Sequence, residues 1–393
     1  MKKKLAIIGR GTAGAQSALH FNAWAKDQFE VEWYFDNSIP PASVGEGATL
    51  PLPRNLMHTQ GWTYRELDRL GGTLKTGIFK KNWGKNGEEF YHDFFPPETS
   101  IHFQAHMLHK YALDELEGKM PMHDTFVGNS SDIDADFVLD CSGTPKELGI
   151  PYMESDHIPV NTARVWQCPW DGPTFNYTLA IAGKFGWIFG IPLTNRCSIG
   201  YIYNKDFATP EQIEEDVQQV FDEYNLTPGP DGNYIEFKSY WRRKNFKGRT
   251  GYNGNASFFL EPLEATSTAT MDLCQRKMFD WVTGALDEDT VNRDYLTFMQ
   301  QTETMIMMHY LAEPKFKTDF WMYANDRARK MFDLAKDDLL LGLKLGQALE
   351  QMGSKKFIPD GLPAFSTWSA QSFAVHIQGL GIEQQIRDYI GAN

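Results

Sequence analysis

The turn Gly9-Arg10-Gly11-Thr12-Ala13-Gly14 constrains the fold of this chain more than any other segment. It follows the apolar run Leu5-Ala6-Ile7-Ile8, which reads as a buried strand. The Ala-rich stretch from Ala13 to Trp24 reads as a helix, and Val31 to Phe35 reads as a second strand closed by Asp36. Glycines at these positions let the backbone turn tightly and approach a pyrophosphate, which the helix N-terminus attracts. An acid at the end of the second strand accepts from ribose hydroxyls, and Asp36 follows Gly14 by 22 residues. A lone fingerprint of this kind is weak, and a glycine turn in a nucleotide-free α/β protein would look similar. The strand, helix and acid around it favour a dinucleotide held by Gly9, Gly11, Thr12, Ala13, Gly14 and Asp36.

The rest of the chain fits a globular α/β (α+β) protein. Its 393 residues allow a large core, and 42% are hydrophobic. A net charge of −13 opposes nucleic acid as a partner. No apolar run is long enough to span a membrane. The apolar run after Met1-Lys2-Lys3-Lys4 is too short for a signal peptide. Cys141, Cys168, Cys197 and Cys274 form no C-x-x-C pair, so no metal is expected, and reduced cysteines point to the cytoplasm. The segment Asp136 to Gly143 reads as a strand ending in a polar turn, which places Asp140 and Gly143 beside the nucleotide or simply marks a strand exit. Thr209, Pro210 and Gln212 form a capping box opening a helix. From Ala269 onward the pattern is mostly helical, with one clear helix over 336–352 stopped by Gly353. The basic run Trp241 to Lys247 reads as a solvated face.

Several further motifs combine. Gly186-Trp187-Ile188-Phe189-Gly190-Ile191-Pro192 is a G-W-x-W-x-I-P segment with Phe189 at the second Trp. Lys75 precedes Asn82-Trp83, and Phe90-Tyr91-His92 and His102-Phe103-Gln104-Ala105-His106 follow. Val44-Gly45-Glu46-Gly47-Ala48-Thr49 is a glycine-rich loop, and Glu261-Pro262-Leu263-Glu264-Ala265-Thr266-Ser267 is an E-P-L-E-x-T segment. Together they resemble the flavin-dependent halogenases of the tryptophan-halogenase type. The compact length is similar to that of a virus-encoded member. The chain departs from the pattern at Ala265 and Ser267, where the family has Ser and Gly, and in a contraction over 116–133.

The resemblance implies an FAD-binding Rossmann-type sheet interleaved with a substrate-side sheet over 1–268, and a mostly helical C-terminal region over 269–393. It implies halogenation of an electron-rich organic substrate, with FAD as FADH2, dioxygen and chloride, bromide or iodide as co-reactants. A separate flavin reductase would supply FADH2 to an enzyme acting on a small-molecule or carrier-bound aromatic. Val44, Gly45 and Glu46 would strap the flavin, and Trp187, Ile191 and Pro192 would wall it. The backbone N–H groups of Thr266 and Ser267 would hold halide. Lys75 would capture hypohalous acid through its compact ammonium or as a neutral amine. Glu264, with Glu261 as a competitor, would polarise that species or accept the ring proton. Phe90, His92 and His309 would touch substrate, although a lone histidine is more often structural. Two other readings remain: a flavin monooxygenase that hydroxylates an aromatic ring, and a flavin-bound redox sensor that turns nothing over.

Overall fold

The computed structural model describes residues 1–40, 46–94, 98–230, 232–354 and 368–391. By its internal contacts the chain divides into two units, each made of three segments. The first comprises Met1–Lys75, Glu98–Glu154 and Ser239–Thr297, and the second Thr76–Pro97, Ser155–Lys238 and Phe298–Asn393. These lines differ from a division at residue 268, which falls inside the helix Thr266–Val282. The reason is strand pairing: each main sheet recruits strands distant in sequence.

In the first unit, Lys3–Ile8 is the strand ahead of the glycine turn, and it pairs in parallel with Phe29–Phe35 on one side. On the other side it pairs in parallel with Phe137–Asp140, so the strand expected at 136–143 returns to the sheet that carries the glycine turn. Thr250–Tyr252 continues the sheet beyond it. A parallel sheet needs both faces covered, and Ala6, Ile8 and Val138 form one of its apolar cores. Thr12–Trp24 is the crossover helix, with Ala13, Ala15, Ala18 and Leu19 buried. A short antiparallel pair, Thr73–Lys75 with Ser100–His102, stands apart from this sheet.

The second unit is built on a seven-stranded mixed sheet. Gly186–Pro192 lies inside it, antiparallel to Thr178–Gly183 and to Arg196–Tyr203. Gly77–Lys81 and Glu89–Asp93 form its far hairpin. The helix Pro210–Glu223 lays Ile213, Val217, Val220 and Phe221 onto Ile199, Tyr201 and Ile181. It opens with the expected box: Gln212 N–H donates to Thr209 Oγ1, and Thr209 N–H donates to Gln212 Oε1.

The C-terminal stretch is helical as expected, with Asp319–Leu334, Leu339–Gly353, Ala370–Leu380 and Glu383–Ile390. The helix read from 336 starts three residues later. Asp338 caps it by accepting from the Leu340 and Leu341 amides at 2.9 and 3.1 Å. No helix among the described residues is long and apolar enough to cross a membrane. All four cysteines are free and buried.

Candidate functional site

The glycine turn has the geometry a pyrophosphate requires. Gly9 has φ +108°, and a Cβ there would lie 2.2 Å from the Cys141 carbonyl oxygen. A Cβ on Gly14 would lie 2.0 Å from the Gly9 oxygen. A Cβ on Gly11 would meet nothing within 4 Å, so its side is open. Gly11 is also the N-cap of Thr12–Trp24, and no side chain caps that end and no acid occupies its first turn. The orphan N–H groups are therefore available to an anion. Trp33 Nε1–H pins the turn from beneath through the Gly9 oxygen at 2.8 Å.

Asp36 stands at the tip of the second strand, where Oδ1 accepts from Ser38 N–H at 2.8 Å and Ser38 Oγ at 2.6 Å. Arg10 reaches the same tip, donating to the Asn37 oxygen at 2.7 Å. Its guanidinium also meets His109 Nδ1 at 3.2 Å. Burial, then the Arg10 charge, pushes the His109 pKa down to about 4. Asp140 Oδ1 accepts from Ser142 N–H, and its carbonyl accepts from Asn253 N–H. Gly143, with φ +103°, turns the chain away. The donor set and the open side of Gly11 fit a dinucleotide.

Lys75 ends its strand fully buried, paired in register with Ser100. Across the same ladder Thr73 faces His102, and Thr73 Oγ1 lies 3.0 Å from His102 Nδ1. Burial first, and then the Lys75 charge, push the His102 pKa well below its ordinary value. The segment 46–49 zips to the other edge of Ser100–His102. Phe103 N–H donates to the Glu46 oxygen and Ala48 N–H to the Ile101 oxygen, both at 2.9 Å. The Glu46 carboxylate, buried at 1% exposure, receives Ala105 N–H at the start of the helix Ala105–Leu116. A carboxylate there is favoured by the helix dipole. Val44 and Gly45 lie outside the described residues.

Glu261 and Glu264 are both buried. Glu264 has φ +65° and Ala265 φ +52°, two consecutive non-glycine residues in the left-handed region. Each costs about 1–2 kcal/mol, and strain of this kind collects at functional sites. The corner starts Thr266–Val282 abruptly, with Ala265 as N-cap and no capping side chain. Thr266 and Ser267 are thus the first two helical residues, and their N–H groups have no partner within the helix. Thr266 is fully buried, and its Oγ1 has no hydrogen-bond partner among the described residues. An orphaned buried hydroxyl at a helix N-terminus fits an anion.

The other expected site residues lie in the second unit. Trp187 is 2% exposed, with its ring 6.3 Å from both Trp83 and Phe189. Ile191 and Pro192 are buried farther along the same strand. His309 is fully buried, its Nδ1 3.0 Å from the Met305 oxygen and its Nε2 2.8 Å from Lys80 Nζ. The Nδ1 proton therefore goes to the carbonyl, and Nε2 accepts from lysine. His92 Nε2 lies 3.1 Å from Ser372 Oγ, and its ring meets His376 at 4.6 Å. His376 also meets His309 at 4.9 Å. Phe90 presses on Gly379, where a Cβ would lie 2.3 Å from the ring. Sequence reasoning missed Lys80 and His376. Strand period is the signal that could have found Lys80, which shares the face of buried Ile78.

Solved structures share the fold over nearly the whole chain. The tryptophan 6-halogenase SttH from Streptomyces toxytricini superposes with a TM-score of 0.78 at 19% identity, covering 99% of this chain and 96% of its own. Xcc4156, a flavin-dependent halogenase from Xanthomonas campestris, gives 0.77 at 16% identity, covering 100% and 94%. The tryptophan halogenase family pattern matches residues 4–125 and 122–339, and the chain belongs to that family. The tryptophan 7-halogenase RebH of Lentzea aerocolonigenes is 31% identical over 216 residues, which is 51% of this chain. The match spans only 39% of RebH's own length.

Proposed function

We propose that this protein is an FADH2- and dioxygen-dependent halogenase of an electron-rich aromatic. The observation that carries this reading is a continuous construction in the first unit. The Lys75 strand, the 46–49 segment and the strained Glu264-Ala265 corner are joined by backbone pairing and by hydroxyl contacts. Family membership supports the same activity.

Reduced flavin and dioxygen supply the oxidising equivalent that converts halide to hypohalous acid. Overall, an aryl C–H, a halide, dioxygen, FADH2 and one proton give an aryl halide, FAD and two waters. The chain's own groups divide the remaining work. Thr12 and the glycine turn bind the pyrophosphate, and Asp36 holds the ribose. Glu46 orders the strap behind Val44 and Gly45, and Asp140 and Gly143 border the cofactor. The Thr266 and Ser267 N–H groups hold the halide. Lys75 holds the hypohalous acid, by hydrogen bond or as a haloamine, and presents halogen to the ring carbon. Glu264 accepts the ring proton, favoured over the equally buried Glu261 by its position in the family's motif. On the family's pattern, Trp187, Ile191 and Pro192 wall the flavin, and Phe90, His92 and His309 contact a free or carrier-bound substrate. A separate reductase delivers FADH2, and the reaction belongs in the cytoplasm.

The test supplies FAD, a flavin reductase, NADH, an electron-rich arene and chloride, bromide or iodide in turn. Halide-dependent aryl halide is expected. Hydroxylated arene formed without halide would replace this reading by a monooxygenase. Flavin binding with no product from any arene in a broad panel would favour a sensor.

A further inference from the structure

The segment 46–49 is held on two sides, and the second hold reaches the halide helix. Thr49 N–H donates to Thr268 Oγ1 at 3.0 Å. The two hydroxyls meet at 3.1 Å, and Thr268 Oγ1 also lies 3.5 Å from the Ala265 carbonyl. Thr268 is 1% exposed and Thr49 is 8% exposed, so water does not compete well for these contacts. One buried hydroxyl therefore touches both the left-handed residue that shapes the helix start and the chain that continues from the flavin strap. Thr268 sits one residue beyond Ser267, in the same first helical turn.

We propose that Thr268 is a positioning residue that couples flavin binding to halide binding. The inference rests on the halogenase reading of the first unit. Bound flavin steadies the 46–49 segment and with it Thr49, and Thr49 fixes the Thr268 hydroxyl. That hydroxyl steadies Ala265 and the adjacent N–H groups of Thr266 and Ser267. Each ligand then binds to a site the other has already ordered, and has less ordering entropy to lose. Coupling of this kind is reciprocal, so halide must tighten flavin by the factor by which flavin tightens halide. The Thr268 side chain need not touch either ligand.

The test is calorimetric titration of FAD into the flavin-free full chain at rising chloride, with ionic strength held constant by gluconate. In the wild type the FAD Kd is expected to fall by about 5-fold or more, the low end for site-to-site coupling. Thr268→Val keeps the shape but removes the hydroxyl, and its FAD Kd should not respond to chloride. Thr268→Ser restores the hydroxyl and should restore the response, which a purely structural role would not require. Thr49→Val removes the hydroxyl pair while leaving the Thr49 N–H bond, and should give a reduced response. It serves as the reporter if Thr268→Val does not fold. A chloride response equal to wild type in Thr268→Val, or in Thr49→Val when that is the reporter, overturns the latch. So does a wild type that binds both ligands without coupling. A wild type that binds no FAD overturns the halogenase reading itself, and the latch with it.

Discussion

Replacing Gly11 with alanine separates what the cofactor needs from what the fold needs. Gly11 has φ −66° and ψ −177°, which alanine adopts freely, and its Cβ would meet no atom within 4 Å. The only folding cost is that of alanine at an N-cap, about 0.5–1 kcal/mol. If the pyrophosphate lies against this open side, the new methyl overpacks it by about 1–3 kcal/mol. That corresponds to roughly a 5- to 150-fold weaker FAD Kd. Gly9→Ala is the control. It must hold a positive φ and place its methyl 2.2 Å from the Cys141 oxygen. Strain and overpacking together cost on the order of 4 kcal/mol, a large part of an ordinary domain's stability. Urea unfolding should show Gly9→Ala strongly shifted and Gly11→Ala nearly unmoved, while FAD titration should show Gly11→Ala clearly impaired. Wild-type FAD affinity in a folded Gly11→Ala would refute the placement of the phosphates.

Two further outcomes follow from buried strain and buried charge. Ala265→Gly relieves a left-handed φ of +52° and should raise stability by about 0.5–1 kcal/mol after glycine's own entropy loss. A lower urea midpoint would contradict the strain argument. In the second unit, Glu303 receives the Ser155 hydroxyl, and burial raises its pKa from 4.5 to about 7. Asp156 adds to the rise and Arg327 opposes it. The folded chain thus binds this proton more tightly than the unfolded chain. The contribution of Glu303 to stability is fully present below about pH 4.5 and is lost as pH rises through about 7, on the order of 3 kcal/mol in all. Glu303→Gln should flatten that slope in urea melts between pH 5 and 8, and an unchanged slope would assign it to other groups.

Much of the first unit was legible because its signals are local. The strand, glycine turn, helix and acid from Leu5 to Asp36 lie in one stretch, and each obeys its own period. The cap at Thr209 was legible for the same reason. The left-handed Glu264 and Ala265 were not, because neither residue type favours positive φ and tertiary context imposes it. In the run from Trp241 to Lys247, Arg243, Lys244 and Lys247 are exposed, as a solvated face requires, but the face is not solvated throughout. Trp241 and Phe246 are buried, and Arg242 lies over the Tyr252 ring at 3.4 Å. Composition counts the charges there but not the ring that covers Arg242. The two-unit division was hidden because distant segments share each sheet, as Thr178–Gly183 does with Gly77–Lys81. Lys80 and His309 are 229 residues apart and meet only through the tertiary fold.

The most direct test of the central claim is the fate of oxidising equivalents in Lys75→Ala at matched FAD loading, with a hypohalous acid scavenger present. FADH2 consumption should continue at the wild-type rate, while aryl halide falls by at least 100-fold and halogenated scavenger rises in its place. Aryl halide at wild-type yield from Lys75→Ala would contradict the account, because the halogen would then reach the ring without the lysine.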